Sequence, residues 1–213
     1  MHEVERGFRP EQRIAYDDRK KDMVEMNINE IKEKLAGQLK KSRFLHSVGV
    51  ADCAADLAAH YGADVEKAYL AGLLHDCART FATVELVSVA SGMQLPVTEI
   101  EMRTPILLHA AIGAAMLPEQ YQIEDEQIRQ AICFHTVGGP AMTDLDKIVY
   151  LADMIEPGRR YPGVDELRRL TAIKTLDQVL LAAFNQSIAF VLNKNNIIHP
   201  DTVAARNEIL LKE

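Results

Sequence analysis

Four histidines and two aspartates, all able to bind a metal, stand in otherwise apolar stretches of this chain, and they limit its fold more than any other feature. His46 lies in Phe44-Leu45-His46-Ser47-Val48. The pair His75-Asp76 closes Ala68-Tyr69-Leu70-Ala71-Gly72-Leu73-Leu74. His109 follows Ile106-Leu107-Leu108, His135 follows Ala131-Ile132-Cys133-Phe134, and Asp153 follows Ile148-Val149-Tyr150-Leu151-Ala152. A polar group buried among such neighbours needs a partner, and an ionised carboxylate needs one most. A bound cation would remove that cost for all six at once. The fold must then bring five distant segments to one point. A lone histidine is more often a hydrogen-bonded residue of no special role, and His2 and His60 read that way, His60 at a helix end where a cation suits the dipole.

The segments read as helices. Ile31, Leu35 and Leu39 repeat every four residues in a helix over Asn29–Lys41. Ser42 is placed to cap Arg43–Tyr61, which stops at Gly62, and Asp64 to cap a helix from Val65 to about Arg79. A short helix runs from Thr83 to near Gly92. Thr104-Pro105 opens one that stops at Pro118. Asp125–His135, Asp144–Ile155, Thr171–Asn193 and Thr202–Leu211 complete the set. Alternating Val/Ile/Thr runs and Asn-Gly hairpins are missing. The expectation is an all-α bundle of one domain over 26–213, preceded by a charged, flexible extension over 1–25.

At 213 residues the chain can bury a sizeable core. Cys53, Cys77 and Cys133 form no CxxC pair and suit reduced thiols in a cytoplasmic protein. No apolar run approaches the roughly 20 residues that span a bilayer, so a membrane partner is not expected. The net charge of −7, without a basic face, speaks against nucleic acid. An anionic small molecule remains admissible if cations and a few arginines offset the repulsion. A homodimer is left open. Gly49 and Gly113, on the faces of His46 and His109, are expected to leave room for a ligand or for close helix packing.

The order His…His-Asp…His…His…Asp resembles the HD-domain metal-dependent phosphohydrolases. In finer detail it is similar to the YqeK family of symmetrical dinucleoside tetraphosphatases. Six segments carry the likeness: Arg43–Val48, Gly72–Arg79, Leu107–Ala110, Phe134–Gly138, Asp146–Arg159 and Ile198–Asn207. The most specific parts are Ala152-Asp153-Met154-Ile155-Glu156-Pro157-Gly158-Arg159 and His199-Pro200-Asp201-Thr202-Val203. The likeness spans about residue 30 to the C-terminus. Val137, where a small polar residue is usual, and Arg79, where lysine is common, depart from it without removing a ligand.

The resemblance implies an all-α HD-domain bundle and two divalent or mixed-valence ions, iron first, with manganese or another transition metal fitting the same N/O donors. It implies that His46, His75, Asp76 and Asp153 hold one ion and that His109 and His135 hold a second, with Asp76 bridging. The implied reaction cleaves diadenosine tetraphosphate into two ADP by a metal-activated water, with Asp76, Arg159 and Arg79 as catalytic residues. The implied substrate contacts are His46, Asp76, Cys77, Ala78, Arg79, His109, His135, Thr136, Asp153, Arg159, Asn196, Ile197, Ile198, His199, Pro200 and Asp201. His199 and Asp201 serve equally well as caps ahead of Thr202, and Lys147 either orients phosphate or pairs with a carboxylate on its own helix. The same ligand set would also serve another nucleotide phosphohydrolase, a mixed-valence di-iron oxygenase or a non-catalytic nucleotide sensor.

Overall fold

The structure is a computed structural model that describes residues 27–212; the extension expected over 1–25 lies outside the described residues. Within them every regular element is helical, as expected. The helices are α1 (Ile28–Gln38), α2 (Lys41–Tyr61), α3 (Val65–Leu74), α4 (Leu86–Gly92), α5 (Glu99–Arg103), α6 (Leu108–Tyr121), α7 (Glu126–Phe134), α8 (Asp144–Ile155), α9 (Val164–Thr171), α10 (Leu176–Asn193) and α11 (Pro200–Leu210). Short 3-10 turns fill Cys77–Thr80, Thr83–Glu85 and Pro105–Leu107.

Side-chain caps set most helix starts. Asn27 and Glu30 form a reciprocal box at α1, and Thr143 and Asp146 another at α8. Asp64 receives Lys67 N–H at α3, and Asp125 receives two N–H groups at α7. Ser42 caps nothing: α2 begins at Lys41, and Lys40 makes no side-chain cap bond. The α2–α3 turn is made by Gly62 at φ 77°, the left-handed conformation that spares glycine a Cβ clash. At Gly72 a Cβ would lie 2.9 Å from the Ala51 Cα, so α2 and α3 pack backbone to backbone.

The main core joins α1, α2, α3, α6, α7, α8 and α10. A smaller cluster of Ala78, Leu86, Ala90, Leu108, Ile112 and Met116 packs α4 on α6. α8 is central, touching α2, α3, α7 and α10. Lys147 on α8 pairs with Asp144 at 3.0 Å and with Asp177 on α10 at 2.7 Å. It is engaged by carboxylates, which decides the alternative left open by the sequence.

Three boundaries differ from expectation for physical reasons. α3 ends at Leu74, because Asp76 leaves the helical region (φ −106°, ψ 16°) and the chain continues as a 3-10 turn. α6 runs through Pro118 to Tyr121. Proline supplies no N–H to the carbonyl four residues back, and Arg129 Nε donates to that Ala114 carbonyl at 3.3 Å instead. The segment expected to open a helix at Thr171 instead ends α9; α10 begins after Thr175, which caps it with Gln178.

Candidate metal centre

The fold brings the six candidate ligand side chains together. His46 projects from α2, His75 caps the end of α3 with Asp76 following it, His109 lies in the first turn of α6, His135 caps α7, and Asp153 sits near the end of α8. His75 is 0% exposed, Asp76 3%, His135 3% and His109 6%.

Three rings are anchored in the same way. His75 Nδ1 lies 2.7 Å from the Gly72 carbonyl, His135 Nδ1 lies 2.7 Å from the Ile132 carbonyl, and His109 Nδ1 makes a close contact with the Ile106 carbonyl. Each carbonyl belongs to the residue three positions earlier. A nitrogen facing a carbonyl must carry the proton, so each Nε2 presents a lone pair to the centre. His46 is anchored differently: its Nδ1 donates to Glu156 Oε1 at 3.1 Å.

The inward atoms crowd one another. His109 Nε2 and His135 Nε2 are 3.1 Å apart. Asp76 Oδ1 is 3.2 Å from His109 Nε2, and its Oδ2 is 3.3 Å from His75 Nε2 and 3.9 Å from His46 Nε2. Asp153 Oδ1 is 3.0 Å from His46 Nε2 and 3.8 Å from His75 Nε2. Asp76 therefore stands between two sets, with one oxygen toward each. Donor atoms of His46, His75 and Asp153, and of His75, Asp76 and His135, fall within 4.8 Å of one another.

This is a donor set that fits cations. Two imidazole lone pairs cannot hydrogen-bond each other, and His75 Nε2 is buried with no hydrogen-bond partner among the described residues. Burial, with His75 and His109 beside it, pushes His135 down to about 3, so that ring is neutral near pH 7. Burial opposes ionisation of Asp76, and its carboxyl is held below the usual range where positive charge stands beside it, on a protonated His75 or His109. Burial likewise opposes ionisation of Asp153, but His46, His75 and Arg159 outweigh it. Burial lowers His46, but Asp153 and Glu156 carry it above the ordinary histidine value.

Arginines close the mouth of the centre. Arg159 Nε donates to the Asp153 carbonyl at 2.7 Å, its Nη2 contacts Asp153 Oδ1, and the same Nη2 lies 3.4 Å from His46 Nε2. Arg43 Nη1 pairs with Asp76 Oδ2 at 2.7 Å. Sequence reasoning did not single out Arg43, although its place one helical turn before His46 puts it on the same face of α2. Arg79, half-buried one turn past Asp76, has its ionisation weakened by burial while Asp76 favours its charge. The Thr136 hydroxyl is 3.0 Å from His135 Nε2 and 3.4 Å from His109 Nε2.

Other expected contacts fall elsewhere. Cys77 and Ala78 have no exposed surface: Cys77 Sγ points at the Gly113 carbonyl and Ala78 lies in the smaller core. The 3-10 turn after Asp76 leaves both side chains buried. Asn196 and Ile197 are exposed, and Ile198 is partly exposed. His199 caps α11 by accepting Asp201 N–H at 3.2 Å, with Pro200 in the first turn. This loop meets the centre indirectly, through the Thr202 hydroxyl on the Val137 carbonyl at 2.8 Å, two residues from His135. The space left by the two helical glycines goes to protein atoms: a Cβ on Gly49 would lie 2.9 Å from Glu156 Oε2, and one on Gly113 would lie 3.3 Å from Cys77 Sγ.

An all-helical bundle that centres a His-Asp dyad among three further histidines and a second aspartate is the architecture of one class. Residues 43–158 match the HD domain, and the chain belongs to that family. Within it, the chain belongs with the proteins named bis(5'-nucleosyl)-tetraphosphatase, symmetrical. It is 40% identical to that of Halalkalibacterium halodurans over 88% of this chain and 100% of the relative, and 37% identical to that of Bacillus subtilis over 85% and 97%. A crystal structure from Clostridium acetobutylicum, described as a predicted HD superfamily hydrolase involved in NAD metabolism, is 38% identical and matches with a TM-score of 0.83, covering 87% of this chain and 97% of that one.

Proposed function

We propose that this chain hydrolyses diadenosine tetraphosphate symmetrically into two ADP. The observation that carries the proposal is the convergence of lone pairs and carboxylates at one buried point, in a chain whose relatives bear that activity in their names. His46, His75, Asp76 and Asp153 would hold one ion, and His109 and His135 a second, with an Asp76 oxygen toward each. Iron is proposed, and manganese satisfies the same mixed donors. When bound, such a pair of ions supplies a water that is nucleophilic near neutral pH and neutralises charge on the reacting phosphate.

The chain's own residues do the rest. The backbone anchors of His75, His109 and His135 keep each Nε2 aimed inward, so no ring must reorganise as the reaction proceeds. The guanidinium groups of Arg159 and Arg43, which rest on Asp153 and Asp76, stand within reach of a phosphate at the mouth, and Arg79 adds a third cation. Guanidinium suits this work because its donors match phosphate oxygens in pairs. Thr136 offers a hydroxyl to a phosphate oxygen. The 196–201 loop, which leads into Thr202 and its bond to the Val137 carbonyl, would flank the nucleoside. Because the two halves of the substrate are equivalent, gripping one ADP-sized half is enough to direct every cut to the middle of the tetraphosphate.

Among the described residues, no helix is long and apolar enough to cross a membrane. A cytoplasmic place is part of the proposal, since Cys53, Cys77 and Cys133 are free thiols suited to a reducing compartment. Nucleotide chromatography of a metal-loaded reaction tests the reading. ADP as the sole product supports it; ATP with AMP, or oxygen uptake with the dinucleotide intact, refutes it.

A further inference from the structure

Glu156 is no member of the proposed ligand set, yet it is the most closely housed carboxylate beside it. It follows the last residue of α8 and is 5% exposed. Its Oε1 accepts from His46 Nδ1 at 3.1 Å, and its Oε2 accepts the Gly158 N–H. Two glycines make the space: a Cβ on Gly49 would lie 2.9 Å from Oε2, and one on Gly158 would lie 2.8 Å from it. Burial opposes its ionisation, but His46 and the Gly158 N–H hold the carboxyl below the usual range.

The turn itself has a separate clamp. Arg168 of α9 donates to the carbonyls of Ile155 at 2.9 Å, Glu156 at 2.7 Å and Arg159 at 3.1 Å. The carbonyls of Ile155, Glu156 and Arg159 are thus held by Arg168, in addition to the bond from the Gly158 N–H to the Glu156 side chain. Among the described residues, the long-range hydrogen-bond partner of that side chain is His46. The contrast with the other rings is informative. His75, His109 and His135 are oriented by carbonyls of their own segments, whereas His46 depends on a carboxylate from another element, the one that also carries Asp153 and Arg159.

We infer that Glu156 is the positioning residue for His46, fixing the ring so that Nε2 faces Asp153 and Asp76 and tying the α2 ligand to the end of α8. The inference rests on the proposed two-ion centre and adds to it a residue on which the His46 side of that centre depends. A carboxylate partner also makes the ring a better donor than a carbonyl would, and removing such a partner commonly costs about 10–100-fold in metal affinity.

The test uses the full-length protein and three variants, Glu156→Ala, Glu156→Gln and Gly49→Ala. Manganese affinity is measured by chelator competition, the visible spectrum is recorded after loading with cobalt(II), and the melting temperature is taken on metal-free protein. Glu156→Ala should weaken one of the two ions by about 10–100-fold and alter the cobalt spectrum. Glu156→Gln, whose amide oxygen can still accept the Nδ1 proton, should recover part of the loss. Gly49→Ala keeps glutamate at position 156 but should shift affinity in the same direction, because its methyl displaces the carboxylate. Metal-free melting temperatures should not track these losses. Wild-type affinity and spectrum in Glu156→Ala would overturn the inference, as would losses that follow metal-free stability alone while Gly49→Ala has no effect. A wild-type protein that binds no ion would overturn the centre itself, and the inference with it.

Discussion

Asp76→Asn is the most informative single change, because Asp76 alone turns one oxygen to each half of the centre, 3.2 Å from His109 Nε2 and 3.3 Å from His75 Nε2. Asparagine keeps the shape but removes the charge and one acceptor, so both ions should weaken together. The size follows from linkage. At free metal one hundred times Kd, each ion stabilises the fold by about 2.7 kcal/mol, and two ions by about 5.4 kcal/mol. For a chain of this length that is a rise of roughly 11–22 °C in Tm on adding metal. A hundredfold loss of affinity at each ion leaves about 0.4 kcal/mol apiece, and the rise shrinks to roughly 2–3 °C. The assay is a thermal melt with and without manganese, read as a difference so that any change in metal-free stability cancels, with ADP release measured beside it. A variant with the full metal-dependent rise and two ions bound would refute the reasoning.

Other outcomes follow from particular contacts. Arg43→Met should leave metal content unchanged and lower kcat/KM for diadenosine tetraphosphate by roughly 10–150-fold, the worth of one charge-assisted hydrogen bond, measured by steady-state ADP release. Lys147→Met, which breaks pairs with Asp144 and Asp177 away from the mouth, should keep wild-type kcat and cost about 1 kcal/mol or less in a denaturant melt. Gly72→Ala should destabilise the fold by roughly 1–3 kcal/mol, since its Cβ would meet backbone atoms of α2 that cannot move aside. Metal-free protein should lose stability between pH 7.5 and 5.5. His135 is pushed down to about 3 in the fold, so below the ordinary histidine value the unfolded chain binds more protons and stability falls with pH. The loss from His135 is about 1.4 kcal/mol at pH 5.5. His46, raised in the fold, takes up its proton more readily there and acts in the opposite direction. Asp76 and Asp153, held low, contribute stability that is constant over this range and is lost only as pH falls further, through the ordinary carboxylate value. Melts of wild type and His135→Asn across this range check the sign, and the fall should shrink in the variant.

The six candidate ligands that the fold brings together stood out in the sequence because buried histidine and aspartate carry a cost that the apolar neighbours expose. Helix starts were legible where a cap is a local bond, as at Asp64 and Asp125. What escaped depends on other elements. Pro118 reads as a stop until Arg129 arrives from α7 to satisfy the freed carbonyl. The burial of Glu156 depends on Gly49, on α2, which leaves a space for its carboxylate. Arg43 was passed over because its partner, Asp76, lies on a different segment. The burial of Cys77 and Ala78, named through the family resemblance, was not legible either, because it follows from the 3-10 turn after Asp76. α5 and α9 were missed, each too short to show a clear period.

Anomalous diffraction from crystals grown with manganese examines the centre most directly. Two peaks should flank the Asp76 carboxylate about 3.5–4 Å apart, the spacing of two-metal hydrolytic sites, one beside His46, His75 and Asp153 and the other beside His109 and His135. A single peak, or metal bound away from Asp76, would contradict the account.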